Sequence, residues 1–274
     1  MRRFLCLGVM LACALALGGC ATSPAGVAAD AGSLKALDAA EFTPIGHWWM
    51  TKAVGDEIGI RPDVVEQLAY YTDVPDSQFW QYAAVPVAVW GVAYIPYRQR
   101  VMDTLHSLHG GHQDAVQCRR YRLEKLIGGY ALPASGSTAG VDPEKLWRMG
   151  FLIHAFGDSY AHVHGLEALG TLKAYNPIVG HAFSYPSADS VKDFPWKLTD
   201  YQEALCRVLS KAAGKEPPKC SKQAVKVSLD EDVKARYRSM ITLGKVNAFL
   251  SETQQVLNAP VDDVCKDPAN QKAL

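Results

Sequence analysis

One stretch, VDPEKLWRMGFLIHAFGDSYAHVHG over residues 141 to 165, constrains the fold of this chain more than any other. Asp142 is placed as a helix N-cap, and Pro143 stands at the first helical position, where its missing N–H costs nothing. The apolar residues that recur through the next twenty positions predict a long helix packed inside a bundle. Yet His154, Asp158 and His162 interrupt that apolar body, and a helix that only buries a face has little use for them.

These three polar residues are spaced one helical turn apart and share one stripe of the helix. Imidazole nitrogens and a carboxylate that converge in this way suit zinc or another divalent first-row metal. His164 lies off the stripe if the helix continues, whereas a helix that ends near Gly165 would bring it toward the same pocket. Both histidines therefore stay open as ligands. The alternative is a His-Asp-His hydrogen-bond ladder inside the core.

Helical patterns dominate the rest of the chain, and strand-like alternation is rare. Pro62 begins one such pattern, with Val65, Leu68 and Ala69 at helical spacing. The sequence therefore predicts an all-α, multi-helix bundle with long irregular loops. The predicted helical segments are residues 46–60, 61–76, a run from about 96 toward 130 that is interrupted near the glycines 110 and 111, 142–163, 199–214 and 228–257, while residues 176–196 are predicted to be irregular.

Other parts of the chain offer further metal-type ligands to the interior of this bundle. His47 precedes two tryptophans, Asp73 and Asp76 come at the end of a predicted helix, and His181 follows Gly180 in a loop. The sequence LHSLHGGHQD adds three more histidines near a turn. Of these, His112 is the preferred candidate because it lies close to Asp114, although solvated loop histidines are the alternative.

The first residues resemble an export signal that ends in a lipid attachment site. Residues 1–19 combine two arginines with a short apolar run, and Leu17-Gly18-Gly19-Cys20 resembles a bacterial lipobox. We expect Cys20 to be acylated, residues 20–38 to be a flexible tether, and residues 39–274 to form a single helical domain. Acyl chains would hold the protein on a membrane of the cell envelope without a transmembrane helix. Ala21 is compatible with sorting to the outer membrane of a Gram-negative cell.

Four of the seven cysteines remain after the signal and the lipidated residue are set aside. An even number in an exported chain predicts two disulfides. The short loop with a Gly/Pro-rich centre favours pairing Cys206 with Cys220, which leaves Cys118 to pair with Cys265. Zinc binding by these cysteines is the alternative, although none of them belongs to a C-x-x-C pair.

The numbers of basic and acidic residues indicate which classes of partner this chain can bind. With 28 basic and 28 acidic residues, the chain has no electrostatic footprint for nucleic acid, so specific nucleic-acid binding is not expected. Residues 82–97 are almost wholly apolar but are broken by two prolines and a glycine, which prevents a helical membrane span. They are either a buried core segment or an apolar flap that meets lipid.

The order of these elements resembles that of the zinc-dependent phospholipase C and S1/P1 nuclease superfamily, and most of all its divergent bacterial branch. The resemblance spans about residues 42–195. It consists of a first histidine in GHWWMT, acidic residues in AYYTDVPD, an H-x-x-x-D helix with a further histidine ten residues after its first, and a later histidine in VGHAF.

The resemblance implies an all-α fold and a cluster of zinc ions that cleaves phosphodiesters. It matches His154 and Asp158 to the helical ligand pair, with Asp158 bridging two ions. It matches His164 by spacing, while His162 has the better helical geometry. The remaining matches place His47 and His181 as ligands, Asp73 or Asp76 as the preceding carboxylate, and one of these two aspartates as the general base.

Several departures from the family pattern leave the function open. The N-terminal amine that completes one zinc site in the family would here be an acylated cysteine, and Tyr185 replaces a family glutamate, with Asp189 the nearest acidic residue. The preferred function is a lipid-anchored hydrolase of phosphoric esters that acts on phospholipid and holds one to three zinc ions. The alternatives are a non-catalytic envelope lipoprotein with a structural metal site, and a phosphatase or nuclease on the same scaffold.

Overall fold

Helices make up 69 % of the residues that the structure describes, which confirms the all-α class. The structure is a computed structural model, and it describes residues 44–77, 83, 87, 95–176, 195–220 and 229–267. All of them belong to one compact unit of the chain. Within these ranges the helices are α1 (Pro44–Ile58), α2 (Pro62–Ser77), α3 (Ile95–Arg100), α4 (Gln113–Gly128), α5 (Pro143–Ala161), α6 (Pro195–Ala212), α7 (Glu231–Ser239), α8 (Leu243–Leu257) and α9 (Asp263–Lys266).

Helix α5 is the central element around which the others pack. Its N-terminus is capped as the sequence predicts, because the Asp142 carboxylate accepts a hydrogen bond of 2.9 Å from the backbone N–H of Glu144. From Met149 to Ala161 every residue is buried. Helices α2, α4 and α6 all contact α5, and α1 packs against α2 and α6. Polar side chains on α5 are therefore enclosed by protein.

Aromatic side chains fill the core on the side of α5 nearest α8. The ring of Trp147 meets those of Phe151 and Phe249 edge to face, with centroids 5.4 and 5.5 Å apart. Such contacts add roughly 0.5–1.5 kcal/mol to the burial of each pair. The packing of α8 against this cluster ties the C-terminal part of the chain to the central helix.

Two details of the fold differ from the sequence prediction. Residues 228–257 form two helices instead of one, because the Thr242 hydroxyl accepts a hydrogen bond of 3.4 Å from the backbone N–H of Lys245 and so starts α8 anew. After α5 the described chain forms a two-stranded antiparallel sheet, in which β1 (Val163–His164) pairs with β2 (Lys173–Ala174) and Val163 stands opposite Ala174.

A further difference lies between α3 and α4. A π-helical turn (Val101–Leu105), hereafter the π-turn, continues α3 and ends at His106. Its closing hydrogen bond runs from the His106 N–H to the Val101 carbonyl, over 3.2 Å. The π-helix is rare and concentrates at functional sites. This turn sets the position of a histidine that faces α5.

The four cysteines pair as the sequence analysis favoured. The sulfur atoms are 1.98 Å apart in Cys118–Cys265 and 2.05 Å apart in Cys206–Cys220. Both bonds use up the thiolates that a zinc site would need, so the alternative of a cysteine-bound zinc is excluded for these residues. The first bond ties α9 to α4, and the second closes the local loop after α6.

Among the described helices, none combines the length and the apolar character that a membrane crossing requires. The predicted signal and tether lie outside the described residues. Most of the apolar segment at residues 82–97 lies outside them as well.

Candidate metal centre

The metal centre is built on the last turns of α5. His154 and Asp158 lie one turn apart on its buried face, with 0 % and 2 % of their surfaces exposed. The helix ends at Ala161, so His162 is its C-cap, and the His162 N–H donates to the Asp158 carbonyl over 2.8 Å. Because α5 ends here, His162 lies at the end of the helix, whereas His164 lies beyond it on β1.

Two glycines in α5 allow the neighbouring helices to approach closely. A Cβ atom at Gly157 would lie 2.6 Å from His47 Cε1, and one at Gly150 would lie 2.4 Å from the Cβ of Tyr71. Any larger residue would therefore push α1 and α2 away. The close approach at Gly157 brings the His47 ring to 4.4 Å from that of His154, centroid to centroid.

Four ligand atoms from three segments lie close to two imidazole nitrogens, and the ligand atoms of Asp76, His106 and His154 all lie within 4.8 Å of one another. The four atoms are the Asp76 Oδ1 of α2, the His106 Nδ1 after the π-turn, and the His154 Nε2 and Asp158 Oδ2 of α5. The five separations that involve an imidazole nitrogen lie between 3.1 and 3.8 Å. A tetrahedral zinc ion with bonds of roughly 2.0–2.1 Å separates its ligand atoms by about 3.3–3.4 Å. The two imidazole nitrogens are therefore spaced from each other and from the two carboxylates as ligands of a divalent ion are.

Hydrogen bonds set the orientation of two of the imidazoles. The His154 Nδ1 lies 2.9 Å from the Thr72 carbonyl oxygen, which can only accept, so this nitrogen carries the proton. In the neutral ring the lone pair is then on Nε2, which points at the cluster. Support of this kind from a backbone carbonyl is typical of metal-binding histidines. His162 uses its Nδ1 to donate to the His106 carbonyl over 2.7 Å.

The second carboxylate oxygen of Asp158 extends the cluster toward α1. The Asp158 Oδ1 is 3.0 Å from the His47 Nε2, while the Oδ2 faces the four-atom site. Asp158 therefore faces the four-atom site with one carboxylate oxygen and His47 with the other. Burial alone would raise the pKa of Asp158, but the surrounding imidazoles, His162 first among them, reverse this effect and hold the pKa well below its usual range.

Two aspartates of α2 stand at the outer side of the centre. The Asp76 side chain is 20 % exposed, while those of His106, His154 and Asp158 are at most 3 % exposed, so solvent reaches the site past Asp76. Asp73 lies about one turn earlier on the same helix. Burial, together with the negative charge of Asp76, raises the pKa of Asp73 to about 6.

The structure does not bring every predicted ligand to this centre. His112 is exposed at the start of α4, where its backbone pairs with that of Lys173. His164 is exposed on β1 and its ring stacks beside Tyr175, with centroids 5.0 Å apart. Neither belongs to the groups of convergent ligand atoms within the described part of the chain. His181 and the predicted lipid attachment site Cys20 lie outside the described residues.

His106 belongs to the cluster, although the sequence favoured His112 among the three histidines of LHSLHGGHQD. It is 1 % exposed, and its Nδ1 is 3.1 Å from the Asp158 Oδ2. The preference for His112 rested on its closeness to Asp114 in the sequence, whereas the position of His106 depends on the π-turn before it, which the sequence pattern did not reveal. Ser107, which follows it, has a φ of +50°, a strained value for a residue with a side chain.

Comparison with known proteins adds no assignment: this chain matches no protein family, no curated protein and no solved structure. The resemblance to the phospholipase C and S1/P1 nuclease superfamily therefore stays a prediction.

Proposed function

We propose that this chain is a metal-dependent hydrolase of phosphoric esters, similar to the zinc-dependent phospholipases C. The observation that carries the proposal is the four-atom cluster of Asp76, His106, His154 and Asp158, in which each imidazole nitrogen lies 3.1–3.8 Å from the other ligand atoms, close to the spacing of ligands around a divalent ion. Two imidazole nitrogens and two carboxylate oxygens favour zinc over calcium or magnesium, which take oxygen ligands. Zinc bound there would supply Lewis-acid chemistry, lowering the pKa of water and neutralising charge on a phosphoryl group.

Residues of the chain hold and tune this site. Thr72 and Asp158 orient the His154 ring from its two sides, and the His162 ring holds the His106 backbone. The low pKa of Asp158 keeps its carboxylate ionised and available as a ligand at neutral pH. The donor groups are therefore prepared for a cation before it arrives.

Asp73 is the proposed general base. It lies about one turn from Asp76, and its pKa is raised first by burial and then by the negative charge of that carboxylate. A base in this position can accept the proton of an attacking water while Asp76 serves as a ligand. We propose this division of roles for the pair, because the sequence left open which aspartate is the ligand and which is the base.

A phospholipid substrate is favoured over a nucleic acid. The even balance of 28 basic and 28 acidic residues offers no basic surface for a polyanion. The N-terminal sequence predicts an acylated Cys20, which would hold the centre close to a membrane of the cell envelope. Phospholipid headgroups would then be within reach of an anchored enzyme.

The first test measures metal and turnover on the same preparation. We expect protein purified without chelator to contain at least one zinc ion per chain and to release phosphorylated headgroup from phosphatidylcholine vesicles. Short single-stranded DNA and a phosphate monoester are offered in parallel to separate phospholipase, nuclease and phosphatase activity. His154→Ala should lose both metal and activity, while His112→Ala, an exposed histidine of the same chain, should keep both. A metal-free wild-type protein would refute the proposal.

A non-catalytic envelope protein with a structural metal site is the second candidate. It is favoured by the enclosure of the centre, because His47 and His154 are at most 1 % exposed and only Asp76 meets solvent among the ligands discussed. Tyr185, which stands where the phospholipase C and S1/P1 nuclease superfamily has a glutamate, also favours the non-catalytic candidate. Tightly bound zinc without turnover of any of the three substrates would select this candidate.

A further inference from the structure

The π-turn that delivers His106 is an unusual piece of backbone that neighbouring residues must hold in place. It is followed by Ser107 at a φ of +50°, and both features cost conformational free energy. The turn and Ser107 are fully enclosed by the protein. Contacts around the turn therefore decide where the His106 imidazole stands.

Arg119 of α4 forms hydrogen bonds with Asp103, in the middle of the π-turn. Its Nη1 donates to the Asp103 carbonyl over 2.8 Å, and its Nη2 donates to the Asp103 Oδ1 over 2.8 Å. One guanidinium thus binds the backbone and the side chain of the same residue through two different nitrogens of a planar fork, a geometry that the single nitrogen of a lysine ammonium does not reproduce. The Asn258 amide closes the network, donating to the Asp103 Oδ2 over 2.6 Å and accepting from the Arg119 Nη2 over 2.7 Å.

The far side of His106 is held by α5. The Ser107 hydroxyl donates to the Ala155 carbonyl over 2.7 Å, and the His162 Nδ1 donates to the His106 carbonyl. His106 is therefore fixed between two anchors, the Arg119–Asp103 pair before it and the α5 contacts after it. Only the first anchor lies outside α5, the helix that carries His154 and Asp158, and the residue that follows it, His162.

We infer that Arg119, acting through Asp103, is the positioning residue that places the His106 imidazole in the cation site. This inference rests on the proposed metal centre. Arg119 belongs to none of the ligand groups, and its effect is transmitted by the two residues between Asp103 and His106, Thr104 and Leu105. Supporting groups of this kind typically change metal affinity about 10- to 100-fold.

Arg122 provides a matched control on the same helix. It is likewise buried, and its guanidinium donates to the carbonyls of Leu257, Ala259 and Pro260. Arg122 therefore ties α4 to the C-terminal segment, as Arg119 does through Asn258, but its hydrogen bonds do not include the π-turn. Comparing Arg119→Lys with Arg122→Lys separates positioning of His106 from general stabilisation.

The test measures zinc affinity by competition with a chromophoric chelator, together with the Tm of the metal-free proteins. We expect Arg119→Lys to weaken zinc binding about 10- to 100-fold and Arg122→Lys to stay within about threefold of the wild type, although both lower the Tm. Cobalt substituted for zinc should show a changed visible spectrum in Arg119→Lys alone, because the ligand geometry changes only there.

Other outcomes overturn the inference. Equal zinc affinities and equal cobalt spectra in the two variants would refute the positioning role while leaving the metal centre intact. A wild-type protein that binds no zinc would overturn the proposed function, and this inference with it. If Arg119→Lys does not fold, Asp103→Asn is compared with Asp262→Asn, which removes a carboxylate facing Arg122, and the same difference in affinity is required.

Discussion

Replacing Asp158 by asparagine removes the carboxylate that four imidazoles share. Their nearest nitrogens lie within 3.6 Å of its oxygens, in His47, His106, His154 and His162. The asparagine keeps the size of the side chain, so no cavity forms, but one acceptor oxygen becomes an N–H₂ donor. A buried polar group left without a partner costs about 1–3 kcal/mol. For a domain of this size, Tm falls by about 2–4 °C per kcal/mol.

The same substitution removes a metal ligand, and this is the larger effect when zinc is present. Zinc at 1,000 times its Kd stabilises the folded protein by about 4.1 kcal/mol. A 100-fold weaker site at the same zinc concentration is stabilised by only about 1.4 kcal/mol. Asp158→Asn should therefore lose about 2.7 kcal/mol of zinc-dependent stability in addition to its metal-free loss.

The assay is thermal unfolding of wild type and variant, each with chelator and with a fixed excess of zinc. Asp56→Asn is the matched control, because this aspartate is 39 % exposed in its side chain and pairs with Lys52 on the surface. The control should follow the wild type closely with and without zinc, since exposed ion pairs contribute about 0–1 kcal/mol. The pH dependence of the unfolding free energy is a second measurement, because the contribution of Asp158 has a predicted direction.

The wild-type protein gains stability from Asp158 above the unfolded pKa of about 3.9, and it loses this contribution as the pH falls toward the lowered folded pKa. Asp158→Asn should lack this acid-sensitive contribution. If zinc raises the Tm of the variant as much as that of the wild type, Asp158 is not a ligand and the reasoning about the centre is wrong.

Three further predictions test the surroundings of the site. Asp73→Asn should raise the Tm of the metal-free protein at pH 7.5 and have little effect at pH 4, because burial raises the pKa of Asp73 to about 6, so that its ionisation destabilises the folded protein increasingly from the unfolded pKa of about 3.9 and fully above about 6; thermal scans at both pH values check this. His106→Ala should lower zinc content, measured by elemental analysis, whereas His112→Ala should not; equal losses would contradict the placement of these two histidines. Joint replacement of Cys118 and Cys265 by serine should cost about 2–5 kcal/mol in denaturant unfolding, since their disulfide closes a long loop; an unchanged midpoint would show that the bond does not constrain the unfolded chain.

Much of the helical framework follows from local sequence signals. Asp142 caps α5 and Pro62 begins α2, as their positions in the sequence predict. The split between α7 and α8 escaped prediction because the Thr242 cap competes with a helical pattern that continues on both sides of it. Helix boundaries depend on single hydrogen bonds, whereas helix existence depends on a pattern repeated over many residues.

The sequence could not choose between His162 and His164 either, because that choice depends on where α5 ends. Both spacings were consistent with a ligand, and only the end of α5 at Ala161 separates them. His162 is buried beside the cluster, while His164 lies exposed on β1. The chain reverses at Gly165, whose φ is +86°, so it turns away from the centre immediately after the helix.

The sequence by itself determined that His154 and Asp158 lie on one stripe of a buried helix, because a spacing of four residues is enough to set their relative direction. Only the tertiary structure decided which residues complete the set. His47 reaches Asp158 because Gly157 leaves room for its ring, and His106 does so because a π-turn shifts the backbone before it. These contacts join residues more than 50 positions apart, and their distances depend on packing between helices, which no local periodicity encodes.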